Sequence, residues 1–350
     1  MTTEQTALLE DLRSTLRSAL RDAAPGTPDP EPWKRLVSEV GVGALLVPEQ
    51  QGGLGLGAHE VIAVAEEIGA AAVETPFMTH CVEATTLLNA APVTTHRDAL
   101  LKAVVDGTQR LAVVRTADAL TVAITGDSVT VSGAAPAVVD SPSATTLLVA
   151  VRIGGTDAIL LVDTSKAGVS VSERSALDAS RSLGSVTFDT APAIIVMQGP
   201  SATQALDTAG TWAQLALAAD QLGVARRSLS ETVDYVKIRT QFGAPIGSFQ
   251  AVKHRCAEVL LEIELAAALI DQAARACDSA NDALAAVSTA AIQSNTAALL
   301  ATDSAIHLHG GIGFTWEHTA HCYYRRARAN VDLLATTDEL RNTVAGSVGV

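Results

Sequence analysis

The sequence has 350 residues, of which 48% are hydrophobic, 18% charged and only 3% aromatic. A chain of this length and apolar content fits two or three packed units, and its composition argues against disorder. The formal net charge of −14 argues against nucleic-acid binding driven by charge, because phosphate binding needs a basic surface.

The spacing of the cysteines and the pattern of the first twenty residues indicate the cellular compartment to expect. The four cysteines form no CxxC pair, which argues against a disulfide framework or a zinc site. The opening stretch MTTEQTALLEDLRSTLRSAL reads as an amphipathic helix with both charge signs, unlike a signal peptide. No apolar run reaches the roughly 18 residues that a bilayer needs. We therefore expect a cytoplasmic protein without a membrane span.

Residues 4 to about 108 are predicted to be helical. Leucines recur at helical spacing in the first twenty residues, and EPWKRLVSEVG starts near a proline and stops at a glycine, as a short helix does. The glycine-rich stretch EQQGGLGLG is predicted to be a loop. It lacks both the Lys-Ser/Thr ending and the preceding strand of a phosphate-binding P-loop.

Residues 110 to about 195 have a different pattern. Short runs rich in Val, Ile, Thr and Leu, such as TTLLVAVRI and DAILLVDT, alternate with Gly-Asp, Ser-Gly and Gly-Gly-Thr turns. This pattern predicts a small antiparallel β unit, either a barrel or a sandwich.

The chain is predicted to be helical again from Pro200 onward. One long helix leads to the turn at Gly243–Gly247, and Gly210 could interrupt it. A second helix runs to about Ala280 and a third stops at Gly310. Long helices with short links pack antiparallel, so we expect a four-helix bundle. The predicted domains are residues 1–108, 109–196 and 197–350.

The stretch RTQFGAPIGSFQAVKH, residues 239–254, is a candidate binding segment. The guanidinium of Arg239 has the geometry to donate two parallel hydrogen bonds to a diphosphate. Gln241 and Gln250 would add neutral donors, and Phe242 could pack on a flat ring. An alternative is a plain helix hairpin, in which the arginine caps helix-end carbonyl groups.

A second candidate segment is HLHGGIGFTWEHTAHCYYRRARA, residues 307–329. Gly310 and Gly311 would permit close approach of the backbone to a ligand. Four histidines also lie here, but their spacing is not that of an HExxH metal site, so we expect no metal. These histidines are His307, His309, His318 and His321.

Together these two segments closely resemble the acyl-CoA dehydrogenase family. The stretch LLVPEQQGGLGLGAHEVIAVAEEIG also resembles the first helical domain of that family, so the resemblance covers nearly the whole chain. It implies a mostly α fold with a central β unit: an N-terminal helical domain, a small β-barrel or sandwich, and a C-terminal four-helix bundle. This order agrees with the elements predicted above.

The resemblance also implies a cofactor and its contacts. Family members hold FAD and use a glutamate to remove the α-proton of an acyl-CoA thioester while the β-hydride passes to the flavin. Electron-transfer flavoprotein is the acceptor expected from the family. An RxQFG arm holds the FAD diphosphate of a neighbouring subunit, and a glycine pair approaches its adenosine. The matching positions are Arg239, Gln241 and Phe242 in the arm, Phe249 and Gln250 just beyond it, and Gly310 and Gly311 in the pair.

The sequence departs from the family pattern at several positions that serve these functions. His307 stands where the family usually has glutamine before the glycine pair. The two positions at which family members carry the catalytic glutamate fall on Leu334 and at or near Ala213. Neither residue can accept a proton, so we expect no catalytic residue in this chain. The substitute bases left open are Asp220, Asp338 and Glu339.

The predicted flavin pocket is also incomplete. The family's TEPxxGSD loop is missing from VVRTADALTVAITGD, and Ala137 and Val139 stand where a Trp-x-Thr/Ser element contacts the flavin ring. Alanine and valine neither stack nor hydrogen-bond as tryptophan and threonine do.

The combination resembles the degenerate subunit of actinobacterial α2β2 acyl-CoA dehydrogenases that shorten sterol side chains. In that hypothesis this chain supplies the FAD diphosphate clamp, and a second subunit of the same family supplies the base and the acyl-CoA pocket. Two alternatives remain: a self-sufficient homo-oligomeric enzyme with a relocated base, and a flavin-free assembly subunit.

Overall fold

Helices form the first and last parts of the chain and strands form its middle, as the sequence predicts. A computed structural model describes residues 3–279 and 283–349. The predicted end of the second bundle helix, near Ala280, lies outside the described residues. The α-helices within them are α1 (Thr3–Ala19), α2 (Glu31–Arg35), α3 (Ala58–Ala71), α4 (Thr85–Ala90), α5 (Thr95–Val105), α6 (Pro200–Ile238), α7 (Gln250–Asp278), α8 (Ala283–His309), α9 (Ala320–Asn330) and α10 (Thr337–Ser347).

The strands of the middle segment follow the predicted short runs. They are β1 (Leu111–Val114), β2 (Leu120–Thr125), β3 (Ser128–Val139), β4 (Thr146–Ile153), β5 (Thr156–Asp163), β6 (Val169–Glu173) and β7 (Leu183–Gln198). A separate two-stranded hairpin joins α6 to α7 and consists of β8 (Thr240–Gln241) and β9 (Ala244–Pro245).

The chain divides into two compact units, each built from separate stretches of sequence. The first comprises Met1–Pro32, Ala58–Glu74 and Gln214–Val350, and the second comprises Trp33–Gly57 and Thr75–Ala213. The three domains proposed from the sequence are continuous segments, whereas these two units are not. The three-domain division stays a prediction.

The sheet of the second unit is mixed, which corrects the expectation of a purely antiparallel unit. Its seven strands have the order β1-β4-β5-β7-β3-β2, with β6 also paired to β7. β1 runs parallel to β4, with Leu111 opposite Thr146. A parallel pair needs a long crossover connection, and the β2–β3 hairpin supplies that intervening chain.

The long strand β7 joins two halves of this sheet around one core. Its first half pairs with β3 and β6, and its second half pairs with β5. Apolar side chains from both halves share a buried cluster that includes Val131, Val149, Leu160 and Phe188. The shared core is the packing that a sandwich-like β unit requires.

A buried histidine beneath the first strand makes the second unit sensitive to acid. His80 Nδ1 accepts a hydrogen bond from the Leu111 N–H at 3.1 Å, and its ring meets Trp33 edge-on. Its buried Nε2 has no hydrogen-bond partner among the described residues. Burial, with a smaller effect of Arg110, lowers the pKa of His80 from 6.5 to about 3.

We therefore expect the stability of the chain to fall as the pH drops below about 6.5, the pKa of an unfolded histidine. The stabilisation from neutral His80 is complete above that pH. It decreases by up to about 1.4 kcal/mol per pH unit as the pH falls toward the folded pKa. Urea unfolding between pH 7.5 and 4.5 measures this slope, and His80→Asn should flatten it. Equal slopes in the two proteins would contradict the assignment to His80.

The long helix α6 is continuous, so the expected interruption at Gly210 is wrong. A Cβ added at Gly210 would lie 3.1 Å from a guanidinium nitrogen of Arg115, so this glycine serves side-chain packing. Further along, Gly223 and Gly69 bring α6 and α3 into backbone contact. A Cβ on Gly223 would stand 1.9 Å from the Glu66 carbonyl oxygen.

The C-terminal helices pack together as predicted. α8 packs against α7, α9 and α10. Gln221 of α6 donates to Asn295 Oδ1 in α8 at 2.9 Å and to the Ala327 carbonyl in α9 at 3.1 Å. These contacts unite five helices, α6 to α10.

One segment qualifies the expectation about membrane spans. Of the described residues, Ala283–Phe314 is long and apolar enough to cross a bilayer by length and composition. Its polar side chains Ser294, Asn295 and Thr302 are buried within the helical bundle. Such burial of polar groups is typical of a core helix that packs on other helices.

Candidate functional site

The first candidate segment folds as a tight hairpin between α6 and α7. Thr240 pairs with Pro245 and Gln241 with Ala244, which leaves Phe242 and Gly243 as a two-residue turn. Both turn residues have positive φ, 53° and 78°. This geometry matches the natural twist of a β-hairpin and suits glycine, whereas a bulky residue there is strained by about 1–2 kcal/mol.

Phe242 combines this strained backbone with an exposed side chain. Its side chain is 94% exposed, and Phe249 lies edge-on to it at 6.1 Å between ring centroids. Three of the five phenylalanines of the chain are on the surface, the third being Phe314. An exposed aromatic ring held on a strained turn is a feature of binding segments.

Arg239 stands at the base of the hairpin with its backbone fixed. Its N–H donates to the Tyr235 carbonyl at 2.9 Å, and its own carbonyl accepts from the Ile246 N–H at 2.8 Å. Its side chain is exposed and makes no ion pair or hydrogen bond within the described part of the chain. The capping role considered as an alternative is therefore not seen there, and the guanidinium donors are available to an anion.

The two glutamines flank this arginine on the surface. Gln241 donates from its side-chain amide to the Thr240 carbonyl at 2.8 Å, and Gln250 is exposed in the first turn of α7. Lys253 is exposed one turn further along the same helix. The segment thus presents cationic and neutral donors around one exposed aromatic pair.

The second candidate segment leaves open space beside its glycine pair. Gly310 has φ 64°, and a Cβ added at Gly310 or Gly311 would meet nothing within 4 Å. Packing inside this chain therefore does not require a glycine at position 311, and the open surface leaves room for a ligand or another backbone. His307 is exposed one turn earlier on α8.

The exposed donors of the hairpin and the open space at the glycine pair suit a diphosphate and an adenosine. The two positions expected to contact the flavin ring lie in the second unit. Ala137 is exposed on β3 and Val139 is half-buried, and neither offers an aromatic face. Beside the end of β1, Arg115 pairs with buried Glu83, with Nε to Oε1 at 2.7 Å. Burial raises the pKa of Glu83, and Arg115 opposes that change.

The two positions expected to carry the family's base hold no acid. Ala213 is fully buried and Leu334 is half-buried. No group of three metal-ligating side chains that could hold an ion is found among residues 3–279 and 283–349. These positions cannot remove a proton from a substrate.

Asp220, the first substitute base, forms a buried ion pair. Its two carboxylate oxygens accept from Arg326 at 3.0 and 2.6 Å, and Asn330 donates to it at 2.8 Å. Asp220 is 4% exposed and Arg326 is fully buried. A carboxylate held by three hydrogen bonds inside the bundle serves packing and is not directed to a substrate.

The other two substitute bases belong to the start of α10. Glu339 accepts from the Thr336 N–H at 2.8 Å while Thr336 accepts from the Glu339 N–H at 3.3 Å, which forms a capping box. This backbone hydrogen bond lowers the pKa of Glu339. Asp338 is exposed and lies 3.5 Å from Arg341. Glu339 therefore serves as a helix cap, and Asp338 is a solvated surface residue.

Sequence reasoning missed three side chains that join the two candidate segments. Tyr235 lies one turn before Arg239, His309 directly precedes the glycine pair, and His318 follows it. Tyr235 stacks on His309, and the His309 ring lies against that of His318 at a tilt of 47°. The one-turn spacing between Tyr235, near the end of α6, and Arg239, just after it, was a signal, but the aromatic partners of Tyr235 are more than seventy residues away.

Comparisons with known proteins identify the family. The family model of the acyl-CoA dehydrogenase N-terminal domain matches residues 2–108, and that of the C-terminal domain matches residues 203–348. The chain is 30% identical over 316 residues to acyl-CoA dehydrogenase IpdE2 of Mycobacterium tuberculosis (strain ATCC 25618 / H37Rv), across 90% of this chain and 86% of that relative. This chain belongs to the acyl-CoA dehydrogenase family, whose cofactor is FAD, and the predicted family and fold are confirmed.

Two solved structures are similar over nearly the whole chain. The Tcur3481-Tcur3483 steroid ACAD G363A variant has a TM-score of 0.87 and 29% identity, with 99% of both chains covered. The ChsE4-ChsE5 complex from Mycobacterium tuberculosis has a TM-score of 0.87 and 27% identity, covering 100% of this chain and 99% of that one. Both structures are named for two components.

Proposed function

We propose that this chain is the cofactor-clamping subunit of a heteromeric, flavin-dependent acyl-CoA dehydrogenase. A second subunit of the same family supplies the catalytic glutamate, the flavin-ring pocket and the acyl-CoA pocket. One observation carries the proposal: the exposed Arg239 hairpin matches the family's arm, whereas the base positions hold Leu334 and Ala213. A homo-oligomer of this chain would have clamps without a base.

The residues of the clamp act by binding and orienting. The fork of Arg239 donates to diphosphate oxygens, because guanidinium geometry suits paired phosphate contacts. Gln241 and Gln250 add amide donors, and Phe242 and Phe249 contribute apolar area that excludes water from those bonds. When bound, FAD supplies the hydride acceptor for α,β-dehydrogenation of the thioester.

The second candidate segment completes the clamp. Gly310 and Gly311 let the backbone approach the adenosine closely, since no side chain of this pair intervenes. His307, where the family usually has glutamine, would donate or accept one hydrogen bond at the same face. These assignments rest on the family motifs and on the open surface at the two glycines.

The similar structures support both the partner and the substrate class. One is named as a complex of two components and the other as a steroid ACAD with two components. We propose by analogy an α2β2 assembly that acts on a steroid side-chain acyl-CoA thioester in the cytoplasm. Electron-transfer flavoprotein is the proposed electron acceptor.

The two alternatives have weaker support. A self-sufficient enzyme needs a free carboxylate near the flavin, but Asp220 is held by Arg326 and Glu339 by its helix cap. A flavin-free assembly subunit has no use for an exposed arginine at the position of the family's diphosphate clamp. The subunit ratio and flavin content of a co-purified complex test the proposal, with equal subunits and one flavin per pair expected.

A further inference from the structure

The two predicted cofactor-binding segments are connected by an aromatic stack in the first unit. Tyr235 of α6 stacks on His309 of α8 at 4.3 Å between ring centroids, with 27° between the rings. His309 in turn lies 4.3 Å from the ring of His318. The stack therefore crosses from the helix that ends next to Arg239 to the loop that follows Gly310 and Gly311.

One backbone and one side-chain hydrogen bond connect Tyr235 to the two segments. Its carbonyl accepts the N–H of Arg239 at 2.9 Å, which anchors the base of the hairpin. Its hydroxyl donates to the His309 carbonyl at 3.4 Å, immediately before the glycine pair. A movement of this tyrosine relative to His309 would separate the hairpin from the glycines.

The hydrogen bonds fit neutral imidazoles. His309 Nδ1 donates to the Ala305 carbonyl at 2.7 Å, so in the neutral ring Nε2 carries no proton. That Nε2 is buried and has no hydrogen-bond partner among the described residues. His318 Nδ1 accepts from the Ala320 N–H at 3.1 Å. A proton added to His309 would place a charge without a partner between two rings.

The groups around His309 change its pKa in both directions. Glu231 of α6 favours a positive charge there, but its oxygens are engaged by Arg227 Nε at 2.7 Å and Thr319 Oγ1 at 3.3 Å. Tyr323 of α9 lies close to the same Glu231 and Arg227. Burial is the largest effect, His318 adds to it, and the net result is a lowered pKa of His309.

We propose that Tyr235, His309 and His318 are positioning residues that fix the glycine pair relative to the base of the Arg239 hairpin only while the His309 imidazole is neutral. Acidification then opens the stack and loosens the clamp. The clamp's ligand rests on the proposed function, whereas the opening of the stack does not.

The expected response has a definite sign. Because the folded pKa of His309 lies below that of an unfolded histidine, neutral His309 stabilises the closed stack fully above about pH 6.5. Below that pH, one-proton linkage increases the population of the open stack by up to about tenfold per pH unit.

Hydrogen–deuterium exchange of the full chain tests the opening. After correction for intrinsic rates, peptides covering residues 305–320 should exchange up to about fivefold faster at pH 5.5 than at pH 6.5 in the wild type. His309→Asn keeps a donor for the Ala305 carbonyl but cannot be protonated, so its exchange should not depend on pH. The control His96→Asn removes an exposed histidine of the second unit and should retain the wild-type profile.

Two outcomes would overturn the inference at different points. The same pH profile in wild type and His309→Asn would show that the imidazole does not control the segment. If exchange opens as expected but FAD release from the co-expressed complex is independent of pH, the link between stack and clamp is wrong. A second variant, Tyr235→Phe, keeps the ring contact but loses the hydroxyl bond to the His309 carbonyl. Its exchange should be faster at both pH values with the pH dependence retained, so the inference stays testable if His309→Asn misfolds. A complex without FAD would contradict the proposed function and leave the exchange test intact.

Discussion

Arg239→Ala is expected to weaken FAD binding by the co-expressed complex by about 1.5–3 kcal/mol, roughly 10- to 150-fold in Kd. The exposed guanidinium makes no ion pair or hydrogen bond within the described residues, so its loss should remove donors to the diphosphate without disturbing the fold. Equilibrium dialysis of the purified complex, followed by flavin absorbance, measures the change.

Two matched variants separate the fork of Arg239 from its charge. Arg239→Lys retains the charge but cannot form two parallel bonds, so its effect should lie between those of wild type and alanine. Arg341→Ala removes another exposed arginine, which contacts Asp338 at 3.5 Å, and should leave flavin binding unchanged. An unchanged Kd for Arg239→Ala would instead favour the flavin-free assembly subunit.

Asp220→Ala is expected to lower the free energy of unfolding by about 3–5 kcal/mol. The substitution leaves the guanidinium of Arg326, which is fully buried, without its carboxylate partner. The loss is large because a buried charge has little access to water. Urea unfolding of the chain at pH 7.5 measures it, with the same denaturant slope required for both proteins.

The control for Asp220 lies on the same helix. Asp234 is exposed and contacts Lys237 at 3.5 Å, so Asp234→Ala should change stability by less than about 1 kcal/mol. Replacing both partners, Asp220→Leu with Arg326→Met, should recover part of the loss. An Asp220→Ala protein of normal stability that no longer reduces flavin with an acyl-CoA would support the self-sufficient enzyme with a relocated base.

Local patterns were sufficient for the element types. The short Val/Ile/Thr runs predicted the strands, since alternation and turn residues are encoded within a few positions. The apolar helices with short links likewise predicted the bundle. The break predicted at Gly210 was wrong because the prediction used only the low helix propensity of glycine. The glycine makes room for the guanidinium of Arg115, which follows a strand far away in the sequence.

Partnerships between distant residues were not predictable from one sequence. Asp220 and Arg326 are 106 positions apart and meet only because α6 and α9 pack together. The stack of Tyr235, His309 and His318 has the same origin, as does the parallel pairing of β1 with β4. The candidate clamp positions were identified from motifs, and their roles toward FAD remain predictions.

Flavin absorbance of this chain, purified alone and purified with a second acyl-CoA dehydrogenase subunit co-expressed from a neighbouring gene, tests the central claim most directly. We predict a colourless protein alone and a yellow complex with about one FAD per two chains, consistent with a symmetric assembly of paired subunits. A yellow protein on its own, with one FAD per chain that an acyl-CoA bleaches, would contradict the account and show that this chain carries its own base and flavin pocket.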